Sequence, residues 1–339
     1  MQRVAAVGCG FMGQTHMAAY DALDTAELAF AVDADEARAR EAAAKFGIAA
    51  TSDFGAVLAD DSVTLVDICL PTYLHRDFVE KALAAGKHVL CEKPMALTVA
   101  DARAMADAAA KAKGFLMVAQ VLRFWPEYVR AREIIDGGQL GRLIGMSCTR
   151  RSPRPTWSWQ NWMLRPDVSG GAALDLHIHD ADWICYTLGR PKAVSSVGIQ
   201  SEMGWDHIYT TYLYGDGRAA VAEGGNAYAP GFSFRAAFLA LLEGGHIQFD
   251  SALTPALSVY RFGSKEVEHP EIEAVVAGKA AAGGNIEELG GYFMEIRYFV
   301  ECCNSRTPPS VVTPADGVQA VEVTLAEMQS AETGRPVQL

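Results

Sequence analysis

A chain of 339 residues, half of them hydrophobic, is longer than one core usually organises, which excludes disorder and predicts two globular domains. Its formal net charge of -12 excludes nucleic acid and anionic membrane as expected partners, because polyanion affinity comes mainly from Lys and Arg neutralising phosphates. The seven cysteines are odd in number and show no C-x-x-C spacing for zinc or redox work, so they read as reduced cytosolic thiols.

The run Arg3 to Val7 lacks the apolar core and small-residue cleavage site of a secretory signal. No apolar stretch is long enough to span a bilayer, and a cytoplasmic protein is expected. From Arg3 to about Val121, short apolar runs alternate with Ala-rich helical stretches, the pattern of βαβ units around a parallel sheet. The predicted strands are 3–7, 28–32, 64–70, 88–91 and 115–119, and the helices 11–22, 35–46, 74–85 and 98–112. This α/β domain is assigned to residues 1–122 and a second domain to 123–339.

After Arg123 the pattern changes to a helix ending near Ile135, a strand from Leu143 to Arg150, an irregular stretch, and a helix from about Gly171. Beyond Pro191 come alternating runs, among them Ile208 to Tyr214 and Arg218 to Glu223, joined by the turn signal Gly215-Asp216-Gly217. A mostly antiparallel, open sheet is expected, one face of which must be covered by helices, by the first domain or by another subunit. Glu287 to Cys303 and Asp316 to Glu327 read as helices.

Gly8-Cys9-Gly10-Phe11-Met12-Gly13 follows the first strand and opens a helix. There each glycine has a reason: a tight turn, close backbone approach to a pyrophosphate, and close helix packing, with the helix N-terminus facing the anion. A second strand ends at Asp33, about 20 residues on, where a carboxylate accepts hydrogen bonds from the adenosine ribose. These features make the first domain a Rossmann dinucleotide-binding domain. Asp33 repels a 2′-phosphate, so NAD is favoured over NADP, with Arg38 and Arg40 as the cations that soften the preference.

The strand His88 to Cys91 runs into Glu92-Lys93-Pro94, which delivers Lys93 to the ligand crevice at the carboxyl end of a parallel sheet. Lys93-Pro94 is a peptide bond that takes the cis form at modest cost. In the second domain, Leu174, Ile178, Ala181, Cys185 and Leu188 recur at helical spacing, so Asp175 and His179 share a helix face while His177 points elsewhere. A carboxylate beside an imidazole poises it for acid/base work near neutral pH. A structural histidine is the plain alternative. A metal set of Asp175, His177 and His179 requires a strand, which the helical pattern opposes, and no metal is expected.

At these residues the chain resembles the glucose-fructose oxidoreductase, inositol dehydrogenase and rhizopine catabolism protein family, Gfo/Idh/MocA. The likeness covers nearly the whole length and rests on Gly8-x-Gly10-x-x-Gly13, Asp33, Pro71-Thr72-x-x-His75, Ala85 to Val89 leading into Glu92-Lys93-Pro94, and Gly170-Gly171 followed by Asp175, His179 and Asp182. The resemblance implies an oxidoreductase with a Rossmann domain and a C-terminal α/β domain whose open sheet makes dimer or tetramer contacts. It implies Lys93, Asp175 and His179 as the catalytic set, with Leu70, Pro71, Thr72, His75, Glu92 and Gln120 joining the glycine loop and Asp33 at the cofactor. His177 stands where many relatives have glycine.

The segment from Arg150 to Arg165 holds three of the six tryptophans and several arginines. Tryptophan faces stack on sugar rings and guanidinium forks bind hydroxyls or anions, which makes Trp162, and Arg123 after the fifth strand, substrate candidates. Packing at an oligomer interface is the competing reading for these aromatics. The expected substrate, largely through the resemblance, is a sugar, sugar derivative or cyclic polyol. Two alternatives stand beside a dehydrogenase: an NAD-dependent glycoside-cleaving enzyme that oxidises transiently, and a non-catalytic dinucleotide or sugar sensor.

Overall fold

The computed structural model describes residues 1–273, 275, 278–281 and 288–339. It divides into two compact units, one of Met1–Phe124 with Trp157–Trp162 and Val275–Val318, the other of Trp125–Thr156, Met163–Ala274 and Gln319–Leu339.

The first unit begins β1 (Gln2–Val7), α1 (Phe11–Asp21), β2 (Ala26–Val32), α2 (Glu36–Phe46), β3 (Ala49–Thr51) and α3 (Phe54–Ala59). It continues with β4 (Leu65–Ile68), α4 (His75–Ala84), β5 (His88–Glu92), α5 (Val99–Lys111) and β6 (Leu116–Ala119). The strands form one parallel sheet in the order β3-β2-β1-β4-β5-β6. Strand order reverses beside β1, and the crevice at such a switch point is where open α/β sheets bind ligands. The central strands are covered on both faces, hence the runs of fully buried Val4, Ala5 and Ala6 in β1 and Leu65, Val66 and Ile68 in β4. Small residues bring α2 close to the sheet, with Ala39, Ala42 and Ala43 packed against Ala6, Cys9 and Ala31. Asp35 caps α2 by accepting the Ala37 and Arg38 N–H groups, and left-handed Gly47 ends it.

The second unit contains α6 (Pro126–Asp136), β7 (Leu143–Pro153), α7 (Pro166–Ser169), α8 (Ile178–Leu188), β8 (Ala193–Ser201), β9 (Gly204–Leu213) and β10 (Ala219–Tyr228). Then come β11 (Arg235–Leu242), β12 (Gly245–Asp250), β13 (Leu257–Arg261), β14 (Val267–Glu268) and, at the end, β15 (Val337–Gln338). The helix α9 (Gly290–Ser305) belongs to the first unit, and α10 (Pro314–Thr333) starts in the first and ends in the second. The expected start of α9 at Glu287 lies outside the described residues.

The nine-stranded sheet runs β14-β13-β12-β11-β7-β10-β9-β8-β15, antiparallel except between β7 and β10. Its register explains its two faces. The cross-strand row Val194, Tyr212, Ala220, Met146, Ala240, Ile247 and Val259 is buried throughout. On the opposite face Val197, Tyr209, Val221 and Leu241 stay exposed. The helix expected from about Gly171 begins there, with a π turn over Ala173–His177 inside it and α8 following from Ile178. Gly170 and Gly171, both left-handed at φ +77 and +70, break the chain direction just before the π turn.

Candidate active site

The glycine loop is built of close backbone contacts. Gly8 has φ +97, and a Cβ there would lie 2.3 Å from the Cys69 carbonyl oxygen; one on Gly13 would lie 1.7 Å from the Gly8 carbonyl oxygen. Gly10 is the N-cap of α1, makes no side-chain capping bond, and an added Cβ would meet only the Arg38 Nη2 at 3.7 Å. The helix N-terminus, with half-buried Phe11 and Met12 in its first turn, therefore offers backbone N–H groups to an anion. Asp33 directly follows β2, with Oδ2 accepting the Cys9 N–H and Oδ1 accepting the Asp35 N–H, both at 2.9 Å. Each oxygen retains a further lone pair for a ribose hydroxyl. The burial of Cys9 and the adjacent Asp33 push its thiol up to about 12, so it stays protonated. This cradle fits a dinucleotide.

The loop after β4 ties the cradle to Lys93. Leu70 packs on Gly8, its Cδ2 3.3 Å from where a Cβ would stand. Pro71 precedes a short 3-10 turn, Thr72–Leu74, with Thr72 buried. His75, fully buried, lies with Nε2 2.8 Å from the Leu70 carbonyl oxygen and Nδ1 2.9 Å from that of Pro94. Burial pulls the His75 pKa down against the opposing pull of both carbonyls. The ring thus spans two backbone segments. Lys93-Pro94 is cis, Lys93 is half-buried, and its backbone N–H donates to Glu92 Oε2 at 3.0 Å. Gln120, just past β6, is buried with its Nε2 lacking a partner among the described residues, an orphaned donor at the crevice end of the sheet. Arg123 is buried too; its guanidinium holds the Val311 carbonyl at 2.8 Å and Asp316 at 3.2 Å. Trp162 is half-buried in the same segment as exposed Trp159, whose ring takes the Arg38 guanidinium at 5.4 Å.

In the second unit, Ser169 donates to the Met163 and Arg165 carbonyls and accepts the Gly171 N–H, fixing the chain before the π turn. Asp175 is half-buried within that turn and His179 is buried in the first turn of α8. His177 is fully buried, its Nε2 2.9 Å from Glu327 on α10. A Cβ on Gly224 of β10 would sit 2.8 Å from the His177 Nδ1, so bare backbone there makes room for the ring. The wider π turn, a feature common at functional sites, seats this extra side chain. Arg150 grips Asp180 with Nε at 2.9 Å and Nη2 at 3.0 Å. Burial opposes the Arg150 charge, but Asp180 and Tyr128 raise its pKa above the ordinary guanidinium value.

One cluster escaped the sequence reading: buried His16, Asp67 and Glu92 with half-buried Cys69. Its only local signal is polar residues inside otherwise apolar runs, Asp67 within Leu65–Ile68 above all.

Comparison with known proteins places this geometry. Residues 2–120 match a family model described as an oxidoreductase family with an NAD-binding Rossmann fold, and residues 128–239 match the GFO/IDH/MocA C-terminal domain. Levoglucosan dehydrogenase of Pseudarthrobacter phenanthrenivorans is 32% identical over 57% of this chain and 53% of its own. The chain thus spans about half the length of the first curated relatives it matches, 56% for a D-apiose dehydrogenase from Paraburkholderia graminis. The scyllo-inositol 2-dehydrogenase (NAD(+)) of Bacillus subtilis is 27% identical across 99% of this chain and 96% of its own. A solved levoglucosan dehydrogenase in complex with NADH and levoglucosan superposes with a TM-score of 0.87 at 25% identity, covering 99% of both chains.

Proposed function

The chain belongs to the GFO/IDH/MocA oxidoreductase family, and we propose that it moves hydride between a hydroxyl carbon of a sugar, sugar derivative or inositol-like polyol and NAD. The observation that carries this reading is the chain of contacts from Gly8 through Leu70 and His75 to Pro94, which fixes Lys93 to the phosphate cradle. That hold supports reading Lys93 as the group at the reacting end of a bound dinucleotide. The names of the relatives, dehydrogenases of levoglucosan and inositol, support the substrate class.

When bound, NAD supplies the hydride acceptor. Lys93 donates a hydrogen bond to the reacting oxygen and stabilises negative charge developing on it. His179 takes the hydroxyl proton in oxidation and returns it in reduction, and Asp175 orients that ring. Asp33 excludes a 2′-phosphate and sets the preference for NAD. Trp162 is a candidate for stacking on the substrate ring.

A cytoplasmic homodimer or homotetramer is the accompanying proposal. Among the described residues none of the seven cysteines is in a disulfide, and no helix is long and apolar enough to cross a membrane. The exposed Val197, Tyr209 and Val221 on one sheet face support self-association, and a monomer by light scattering at micromolar concentration would reject it. The functional test is to denature purified protein, identify released dinucleotide, and screen sugars and polyols for NADH formation. NAD and net NADH with one substrate class are expected. Glycoside cleavage without net NADH, or release of NADP, would overturn the reading.

A further inference from the structure

Asp67 is the one charged residue of β4, and it is fully buried. A carboxylate in that position costs several kcal/mol unless a partner offsets the lost hydration. His16, on α1 and equally buried, supplies the partner: its Nδ1 lies 2.9 Å from Asp67 Oδ2. The other ring nitrogen lies 3.2 Å from Glu92 Oε1, at ion-pair distance though off the ideal hydrogen-bond axis. A neutral imidazole carries one N–H, so serving both carboxylates takes the doubly protonated ring. Cys69 also faces it, with Sγ 3.4 Å from Nδ1, as does the Tyr292 ring of α9 at 6.0 Å between centroids. Tyr20 of α1 stands near Asp67, and burial first and Asp67 next push its hydroxyl pKa up.

Glu92 does two jobs with its two oxygens. Oε1 faces His16, and Oε2 accepts the Lys93 backbone N–H at 3.0 Å. Burial works against the Glu92 charge, yet His16 and Lys93 together hold its carboxyl below the usual range. Burial likewise opposes a charged His16, and Asp67 and Cys69 outweigh it. The array therefore reaches from the middle of the sheet to the backbone of Lys93 through two hydrogen bonds and, between His16 and Glu92, one ion-pair contact.

We propose that His16 is a positioning residue for Lys93: anchored by Asp67, the imidazolium fixes Glu92, whose second oxygen sets the Lys93 backbone at the crevice. The proposal rests on the oxidoreductase reading only for what Lys93 then does. His16 touches neither cofactor nor substrate in this scheme. It acts by removing the freedom of Glu92 to turn away from the Lys93 N–H.

Three measurements on the NAD-loaded protein test it. Nitrogen NMR of the His16 ring should show both nitrogens protonated at neutral and mildly alkaline pH in the wild type. Amide exchange at Lys93 should quicken about tenfold in His16→Gln and in Asp67→Asn, the loss of one charged hydrogen bond. With an active substrate, kcat should fall about tenfold in both variants while the Kd for NAD stays within about twofold. Met105→Ala, a buried change on α5 outside the array, serves as the destabilised control and should lower Tm while leaving kcat and Lys93 exchange unchanged. A neutral His16 ring, unchanged Lys93 exchange in His16→Gln, or the same exchange increase in Met105→Ala would each overturn the proposal. So would a stoichiometric metal ion in the purified protein, since His16, Asp67 and Cys69 offer ligand-type atoms within 4.8 Å of one another. Absence of turnover with every sugar and polyol would instead sink the oxidoreductase reading, leaving the ring spectra and the Lys93 exchange to decide this one.

Discussion

The glycine cradle of the first unit and the π turn of the second hold their candidate groups by different means. The cradle is made of backbone: a left-handed Gly8, a Gly13 against its carbonyl, and a strand end that presents Asp33. The π turn is held by side chains that meet from distant parts of the chain, His177 with Glu327 and, one turn on, Asp180 with Arg150. A backbone site fails when a Cβ is added. A side-chain site fails when one partner is removed, because the other is left buried and uncompensated.

The largest expected effect sets the two units against each other directly. Lys93→Ala in the first and His179→Ala in the second should each lower kcat by roughly 10²–10⁴-fold, with NAD affinity within about twofold of wild type. Steady-state kinetics and NAD titration check both. If one variant kept wild-type turnover, the reacting group would belong to the other unit alone, and the division of roles proposed above would be lost.

Next in size is stability in the second unit. Glu327→Leu leaves His177 buried without its carboxylate, and a loss of about 3–5 kcal/mol is expected in denaturant unfolding. Restoring part of that loss by His177→Gly in the same chain would identify the stranded imidazole as the cause. No restoration would mean that the π turn is held by packing alone.

The same contrast decides what the sequence could disclose. Backbone sites are written in consecutive residues, so the glycine loop, Asp33, Lys93 at its strand end and the parallel sheet were legible. The short β3 and α3 were not, because Ala49 to Thr51 and Phe54 to Ala59 are too brief to carry a period. The helix carrying His179 was legible from Ile178, Ala181, Cys185 and Leu188, all buried as the spacing predicts. Its π turn was not, since that depends on Gly224 of β10 and Glu327 of α10. The array of His16, Asp67 and Glu92 was hidden for the same reason: only the order of β4 and β5 in the sheet brings them together. Arg123 shows the converse, a charged residue near a strand end that looked available and is engaged by Val311 and Asp316.

A smaller effect sharpens the account of the cradle. Asp33→Ser removes the carboxylate but keeps a hydroxyl acceptor for the Cys9 N–H, so the loop should survive. The preference for NAD over NADP should narrow by about tenfold, on the order of 1.4 kcal/mol. Fluorescence titration of both cofactors into both proteins measures it. A wild-type preference for NADP would reject Asp33 as the discriminating residue.

The smallest expected effect concerns the sign of pH dependence, which differs between the units. In the first, Asp67 raises the His16 pKa against burial, so its stabilisation is complete below the unfolded imidazole value and is lost as pH rises through the folded value. In the second, Glu223 on β10 accepts Arg151 Nε at 2.6 Å and Nη2 at 3.0 Å, and that guanidinium holds its carboxyl below the usual range although burial opposes it. A depressed carboxyl stabilises the fold above its unfolded pKa, roughly 4.3, and that stabilisation fades as pH falls through the folded value. His207 faces the same carboxylate at 3.4 Å, and burial lowers its pKa against the pull of Glu223. The side chains of Arg151 and Glu223 are 33% and 21% exposed, so water and salt screen the pair and its worth is below about 1 kcal/mol. Arg151→Met should then melt roughly 2 °C below wild type at neutral pH, with the gap shrinking in high salt and closing in acid below about pH 4. Asp67→Asn should show the opposite trend, its gap closing as pH rises instead. A gap for Arg151→Met that stayed constant into acid would mean that the arginine stabilises β7 by packing its aliphatic stem, and that the charge on Glu223 contributes nothing.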